Sequence, residues 1–281
     1  IGKPGLMKLK GVVDAAEAWD GYIAPTYGGD GAMVQPNPAT RLEVLDIPAL
    51  PSDATDALTL RFAAAGIADG WKGATLTRLM PSGEDAILLD FDQAAVMGAA
   101  VNAVGVGVTT HFDEINTLDV ALVGNATLAS ANEAAVLGGA NVAVLGDEVI
   151  QFMYATQLGA GLYRLSRLLR GRLGTEAAMA THVVGERFVL LNEAIQPLVI
   201  PASQYGQPWV LRASTFGDSL TSGAQVTITV QANSLKPLSP VHAEALRSPT
   251  TGDVVIGWQR RTRMNGDWRD FIDAPLSEQS E

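Results

Sequence analysis

The sequence predicts a mainly β fold, a barrel or sandwich carrying short helices. Three observations lead there. Short apolar or alternating runs recur, with turn signals about every 8–12 residues. Glycine is frequent at 29 residues and proline at 14, while aromatic residues make up only 6%. Strands do not alternate with long helical patterns, as a parallel βαβ fold requires.

Residues 1–46 read as a strap, a linker or the end of a preceding domain. Gly28-Gly29-Asp30-Gly31 and Pro36-Asn37-Pro38 punctuate that segment. A β-rich domain is expected over residues 47–235. Leu58 to Ala63 alternates, with Leu58, Leu60 and Phe62 on one face. Ala74 to Met80 and Ala86 to Phe91 flank the turn Pro81 to Asp85, a hairpin pattern. Leu118 to Val123 and Ala126 to Ala129 flank Gly124-Asn125 and predict a second hairpin. Asn141 to Leu145 and Val149 to Ala155 flank Gly146-Asp147-Glu148 and predict a third. Further strands are expected at Gly161 to Leu169, Arg187 to Leu191, Trp209 to Ser214 and Ala224 to Gln231. The last of these is rich in β-branched residues. Asn132 to Leu137 and Thr175 to Thr181 are the short helical candidates.

A second boundary falls near Ser234 to Pro240. Beyond it, Val241 to Arg247 and Val254 to Trp258 flank a turn at Pro249 to Asp253. A proline-rich entry, an edge strand and a strand ending in Trp are how fibronectin type III-like sandwiches begin. Such a sandwich needs about 100 residues. Residues 236–281 are therefore expected to be only its first part.

Composition excludes several classes. Charged residues are 17% of the chain and hydrophobic residues 47%, so a large core is available and disorder is not the dominant state. The net charge of −11 argues against a general nucleic-acid binder, which needs a basic face to displace counterions. It argues equally against binding to an anionic membrane surface. No apolar run of about 18 residues is present, so no helical membrane span is expected. With no cysteine, thiolate catalysis and cysteine metal sites are impossible.

Catalytic signatures are sparse. The loop His111-Phe112-Asp113-Glu114 holds an imidazole and two carboxylates, but its spacing matches no metal or acid–base motif. His182 lies between Glu176 and Glu186 without the HExxH pattern, and His242 reads as a surface residue. Gly105-Val106-Gly107 and Gly159-Ala160-Gly161 lack the third glycine of a dinucleotide loop. No nucleophile elbow or phosphate-binding loop occurs. Cofactors and metals are not expected. A glycan hydrolase would need two facing carboxylates, and the region of Asp90, Asp92, His111 and Asp113 is the first place to look.

Arginine usage is more informative. Five of the 19 basic residues are Lys and 14 are Arg. Four Arg lie in one run, Arg164, Arg167, Arg170 and Arg172, followed by Glu176; Arg260, Arg261 and Arg263 form a second group. The guanidinium fork pairs bidentately with carboxylates. In an acidic chain these residues are candidates for ion-pair networks within a subunit or between subunits. Trp71, Tyr205 and Trp209 are the aromatic residues to test for a sugar- or receptor-binding sheet face, although each reads more simply as core.

Several stretches resemble one family. They are Gly146 to Phe152, the run Tyr163 to Glu176 with its Leu-Leu-Arg-Gly-Arg-Leu-Gly-Thr-Glu core, Gly185 to Leu191, Gly257 to Arg263 and Asp273 to Glu278. Together they resemble the C-terminal part of the large tail-tip (baseplate) hub protein of gene transfer agents and related siphophages, the host-specificity or TIM-barrel-containing tail protein family. The likeness is fuller from about residue 140 onward. Ser277 stands where the family carries Gly. The resemblance implies a homotrimeric structural hub at the virion tail tip, contacting neighbouring tail and baseplate proteins and engaging a host receptor. It also implies β-barrel hub domains, fibronectin-like appendages and a channel through which DNA passes unbound. The family's glycosidase-like barrel has no counterpart in these residues, so no enzymatic activity is carried over. The alternative is a carbohydrate- or receptor-binding β module, and after it a cell-wall glycan hydrolase.

Overall fold

A computed structural model describes residues 37–53, 57–259 and 261. Strand β2 (Leu58–Gly66) is buried at all nine positions, which its sequence explains. Leu58, Leu60, Phe62 and Ala64 fall on one face, and the small residues Ala63 and Ala65 on the other. A strand apolar on both faces is stable only between two layers.

The first layer is a sandwich. Strand β2 pairs with β1 (Thr40–Leu45) on one side and β11 (Gln196–Ile200) on the other. Pro197 is tolerated because β11 is an edge strand. Facing this sheet is a four-stranded one, in the order β13 (Gln225–Thr229), β12 (Pro208–Thr215), β3 (Ala74–Leu79), β4 (Asp85–Phe91). Leu60, Phe62, Leu76, Phe91, Trp209 and Leu211 form the core between them.

The second layer is a closed six-stranded barrel. Its strands are β5 (Met97–Ala100), β6 (Leu118–Leu122), β7 (Val142–Leu145), β8 (Glu148–Gly159), β9 (Leu162–Arg172) and β10 (Arg187–Leu190), in the circular order β10-β5-β6-β9-β8-β7. Leu118, Val120, Phe152, Leu165, Leu168 and Phe188 fill its interior. Outward-facing Met97, Val144 and Val189 pack against Ala63, Ala65 and Ile47, which join barrel to sandwich. Helix α1 (Glu133–Leu137) is capped by the Asn132 side chain, which accepts from the Ala135 N–H. Its Val136 covers Phe112, Met153 and Leu169 on another barrel face.

The mainly β class and the barrel-and-sandwich architecture agree with the sequence, and three details differ. Within the segment read as a strap, a linker or the end of a preceding domain, Thr40–Leu45 is a strand; Arg41 to Leu45 alternates well enough to add an edge to β2. Residues 126–129 form no strand, because β6 pairs with β5 and β9 and the chain after Asn125 instead sends Leu128 into the barrel core. Strand β5 comes from the Gly- and Ala-rich stretch at 97–100, where Gly98 allows close approach: a Cβ there would collide with the Ala121 carbonyl. The short helix or turn expected at 175–181 is the 3-10 helix Glu176–Ala180, in agreement with the sequence.

Strands β14 (Val241–Arg247) and β15 (Val254–Gln259) form an antiparallel hairpin with Leu246, Val255, Ile256 and Trp258 exposed. The rest of the expected fibronectin-like segment, and residues 1–36 of the segment expected to be a strap, a linker or the end of a preceding domain, lie outside the described residues. Among the described residues no helix is long and apolar enough to cross a membrane.

Phe62 is fully buried in the core of the sandwich. Phe62→Ala is expected to cost about 3–5 kcal/mol of folding free energy, measured by chemical denaturation. A cost below about 1 kcal/mol would show that the sandwich is not a tightly packed core.

Candidate functional site

One end of the barrel is closed by charge. Strand β9 delivers Arg170 there, and its alternation changes phase on the way. Tyr163 and Leu165 face the interior, Arg167 takes a left-handed φ of 56°, and Leu168 faces the interior again. Left-handed backbone at a non-glycine residue costs on the order of 1–3 kcal/mol. The Arg167 guanidinium is held by Glu114 at 2.7 Å and Glu133 at 3.0 Å and lies over the Phe112 ring.

Beyond this bend the Arg170 side chain has no exposed surface. Its Nε donates to Glu148 Oε1 at 3.0 Å and its Nη2 to Glu148 Oε2 at 2.8 Å, a two-pronged pair. Its Nη1 donates to the Gly105 carbonyl at 3.0 Å and reaches Asp113 Oδ2 at 3.4 Å. Glu148 also accepts the Gly171 N–H at 2.5 Å and His182 Nε2 at 2.6 Å. His182 Nδ1 faces Glu186 Oε1 at 2.8 Å. Asp113 accepts the Ile115 and Asn116 N–H groups, both at 3.0 Å, and the Asn116 amide at 2.7 Å. Five ionisable side chains from four segments thus meet in one buried cluster.

Space for it is cleared by glycine. A Cβ at Gly107 would strike the Asp113 carboxylate and crowd Arg170, and one at Gly146 would strike the Glu186 carboxylate. Gly171 takes φ 59°, which aims its N–H at Glu148.

Burial penalises every charge in the cluster, and the partners decide each outcome. For Glu148, burial favours the neutral form, but the hydrogen bonds from His182 and Arg170 outweigh it and lower the pKa. For His182, burial opposes protonation, but Glu148 and Glu186 outweigh it and raise the pKa. Glu186 is raised by burial and by Glu148, only partly offset by His182. A carboxylate at each ring nitrogen favours the protonated imidazole, which donates both ways. Its acid–base atoms are occupied by partners. The cluster is built to clamp β8, β9 and the β9–β10 connection together.

The other candidates scatter. Arg164 makes a two-pronged pair with Asp119 on the surface, at 2.7 Å for each contact. Arg172 is exposed. Arg261 reaches Glu176, its Nη1 donating to Oε1 at 2.5 Å, while its Nε donates to the Ser239 carbonyl. Those contacts tie the entry of the β14–β15 hairpin to the 3-10 turn after β9. Arg260 and Arg263 lie outside the described residues.

Among the aromatics, Trp209 is core: it is 3% exposed, under the Arg78 guanidinium, with its Nε1 donating to Gln204. It therefore presents no free sheet face. Tyr205 is exposed, and Trp71 is half-buried with its Nε1 donating to Thr40 at 2.8 Å. The suspected carboxylates are not brought together: Asp90 accepts from Thr75 on the exposed side of the four-stranded sheet, while Asp113 is in the barrel cluster. Asp92 and His111 are exposed.

Sequence reasoning missed Glu148 as the partner of Arg170, and His182 and Glu186 as the groups that extend the network from Glu148. The i,i+4 spacing of His182 and Glu186 was a visible signal, but Glu148 looked like the third residue of a turn.

Two outcomes follow. Arg170→Met removes one partner of a buried pair and strands Glu148 and Asp113, so a loss of about 3–5 kcal/mol is expected in denaturation. A near-neutral effect would mean that the clamp is dispensable. His182 has a raised folded pKa, so its stabilising contribution is full below the unfolded value of about 6.5 and is lost as pH rises through the folded value. The Tm difference between the parent and His182→Gln is therefore expected to be largest near pH 6 and to shrink toward pH 9. A difference independent of pH would mean that the imidazole is neutral.

No curated protein matches the chain. A family model does, over residues 95–189, and its description is Rcc01698-like, C-terminal. The matched stretch runs from just before β5 to the third residue of β10, so it covers the barrel together with its charged plug. In its barrel, therefore, the chain is similar to the C-terminal region of the family of Rcc01698, a gene transfer agent-associated protein.

Proposed function

We propose that this chain is a structural part of a siphophage-like tail tip, the baseplate hub of a phage or gene transfer agent particle. In this reading it is not an enzyme. It assembles as a homotrimer with neighbouring tail and baseplate proteins, helps close the tail tube, and takes part in host attachment and DNA delivery. The observation that carries the reading is the coincidence of the family match with the barrel, from the strand that opens it to the strand that closes it.

The chemistry of the barrel supports a structural role. Its most buried titratable groups are consumed by one another. The polar plug cross-links β8, β9 and the β9–β10 connection at the barrel end. The acidic balance of the chain also suits a channel wall, since a surface of like charge repels phosphate and lets DNA slide. This reading assigns the solvent-accessible pairs Arg164–Asp119 and Arg187–Asp147 to the contacts between subunits.

Particles from a producing strain carrying a C-terminal tag on this protein, labelled with gold, are expected to show label at the tail end distal to the head. Mass photometry of the intact protein is expected to show a trimer. Particles without label at the tail, or a strictly monomeric protein in its assembly, would overturn the proposal.

A further inference from the structure

We propose that the junction between sandwich and barrel holds a binding cleft for a neutral saccharide. The cleft has a volume of about 510 Å³ and is formed by the loop after β2, the segment entering β5 and the turn after β6. That size is within the range of small-ligand sites. The inference does not depend on the hub reading, since no step of it requires an assembly.

Three side chains define the chemistry. Trp71 lines the cleft, and its ring is pinned by two independent contacts. Its Nε1 donates to Thr40, and its Cβ and ring carbons fill the space a side chain at Gly66 would take. Asp69 and Asn125 line the same cleft from two different loops, and no hydrogen bond within the described residues engages either side chain. Ala94, Val96 and Val123 supply apolar wall. A fixed indole, a free carboxylate and a free amide beside small apolar residues match a sugar. Its C–H face lies on an aromatic ring, and its hydroxyls donate to a carboxylate and exchange hydrogen bonds with an amide. A charged ligand fits less well. The cleft has no cationic lining residue for an anion, and its one carboxylate sits among apolar neighbours rather than in an acidic cage.

The site is held in shape before any ligand arrives. The loop after β2 starts where the Ile67 N–H donates to Ala39, and the β6 turn is anchored by the Val123 N–H to Met97. The entry to β5 is anchored by the Ala95 N–H to Ala64. Gly124, at φ 62°, brings its turn so close that a Cβ would lie 3.2 Å from the Gly66 carbonyl. A rigid, preformed cleft loses little entropy on binding.

The test uses the 281-residue chain with maltose-, cellobiose-, N-acetylglucosamine- and galactose-series oligosaccharides and choline as the cationic control, read by saturation-transfer NMR and calorimetry. At least one neutral saccharide is expected to bind, with affinity reduced at least tenfold by Asp69→Ala and by Asn125→Ala at unchanged Tm. Ala126→Trp, which fills the cleft from its wall, is expected to abolish binding. Silence across the sugar panel, sugar binding indifferent to all three substitutions, or binding of choline alone would each overturn the proposal. Binding that persists in protein shown to be monomeric would refute the trimer and leave the cleft standing.

Discussion

The Arg170–Glu148 pair is the interaction on which the barrel's closed end depends. A β-barrel of six strands has an interior narrow enough for side chains to fill, and most of this one is filled by Leu, Val and Phe. At one end the filling changes to ions. A buried ion pair is a poor source of net stability, because desolvation offsets the attraction. It is a good source of uniqueness. The guanidinium has one orientation in which the Glu148 carboxylate, the Gly105 carbonyl and Asp113 are all satisfied. That orientation sets the register of β8 against β9 and the path of two connections.

The rest of the site is arranged around this constraint. Glycine stands at 107, 146 and 171 because side chains there would occupy the carboxylates' space or forbid the backbone turn. The bend at Arg167 is what carries β9 from its Tyr163–Leu165 phase to the phase that buries Arg170. His182 stands between two carboxylates and extends the network to the strand that closes the barrel.

The second organising element is β2, which belongs to both layers. Its large residues face the sandwich while Ala63 and Ala65 face the barrel, so the barrel can approach closely on that side. The cleft lies along the rim of this close approach, where the loops that leave both layers meet without filling the space between them.

Much of the fold was legible in the sequence. Period-two alternation and turn residues mark β2, β3, β4, β7, β8 and β12 to within a residue or a few, because those signals act locally. Strands β5 and β11 were not legible: one is made of Gly and Ala and the other contains Pro, and both are strands only because a neighbour offers hydrogen bonds. The same division holds for the site. Four arginines in nine residues announce that acids must be near, because a guanidinium is always charged and rarely left unpaired in a core. Which acids they are is a tertiary matter. Asp113 and Glu148 lie 57 and 22 residues before Arg170, and only the closure of the barrel brings them within hydrogen-bond reach of it. Sequence alone determined the β class, the acidic balance and the arginine run. Tertiary structure decided which arginine is buried, because burial is set by the strands that surround a residue and not by the residues beside it in the chain.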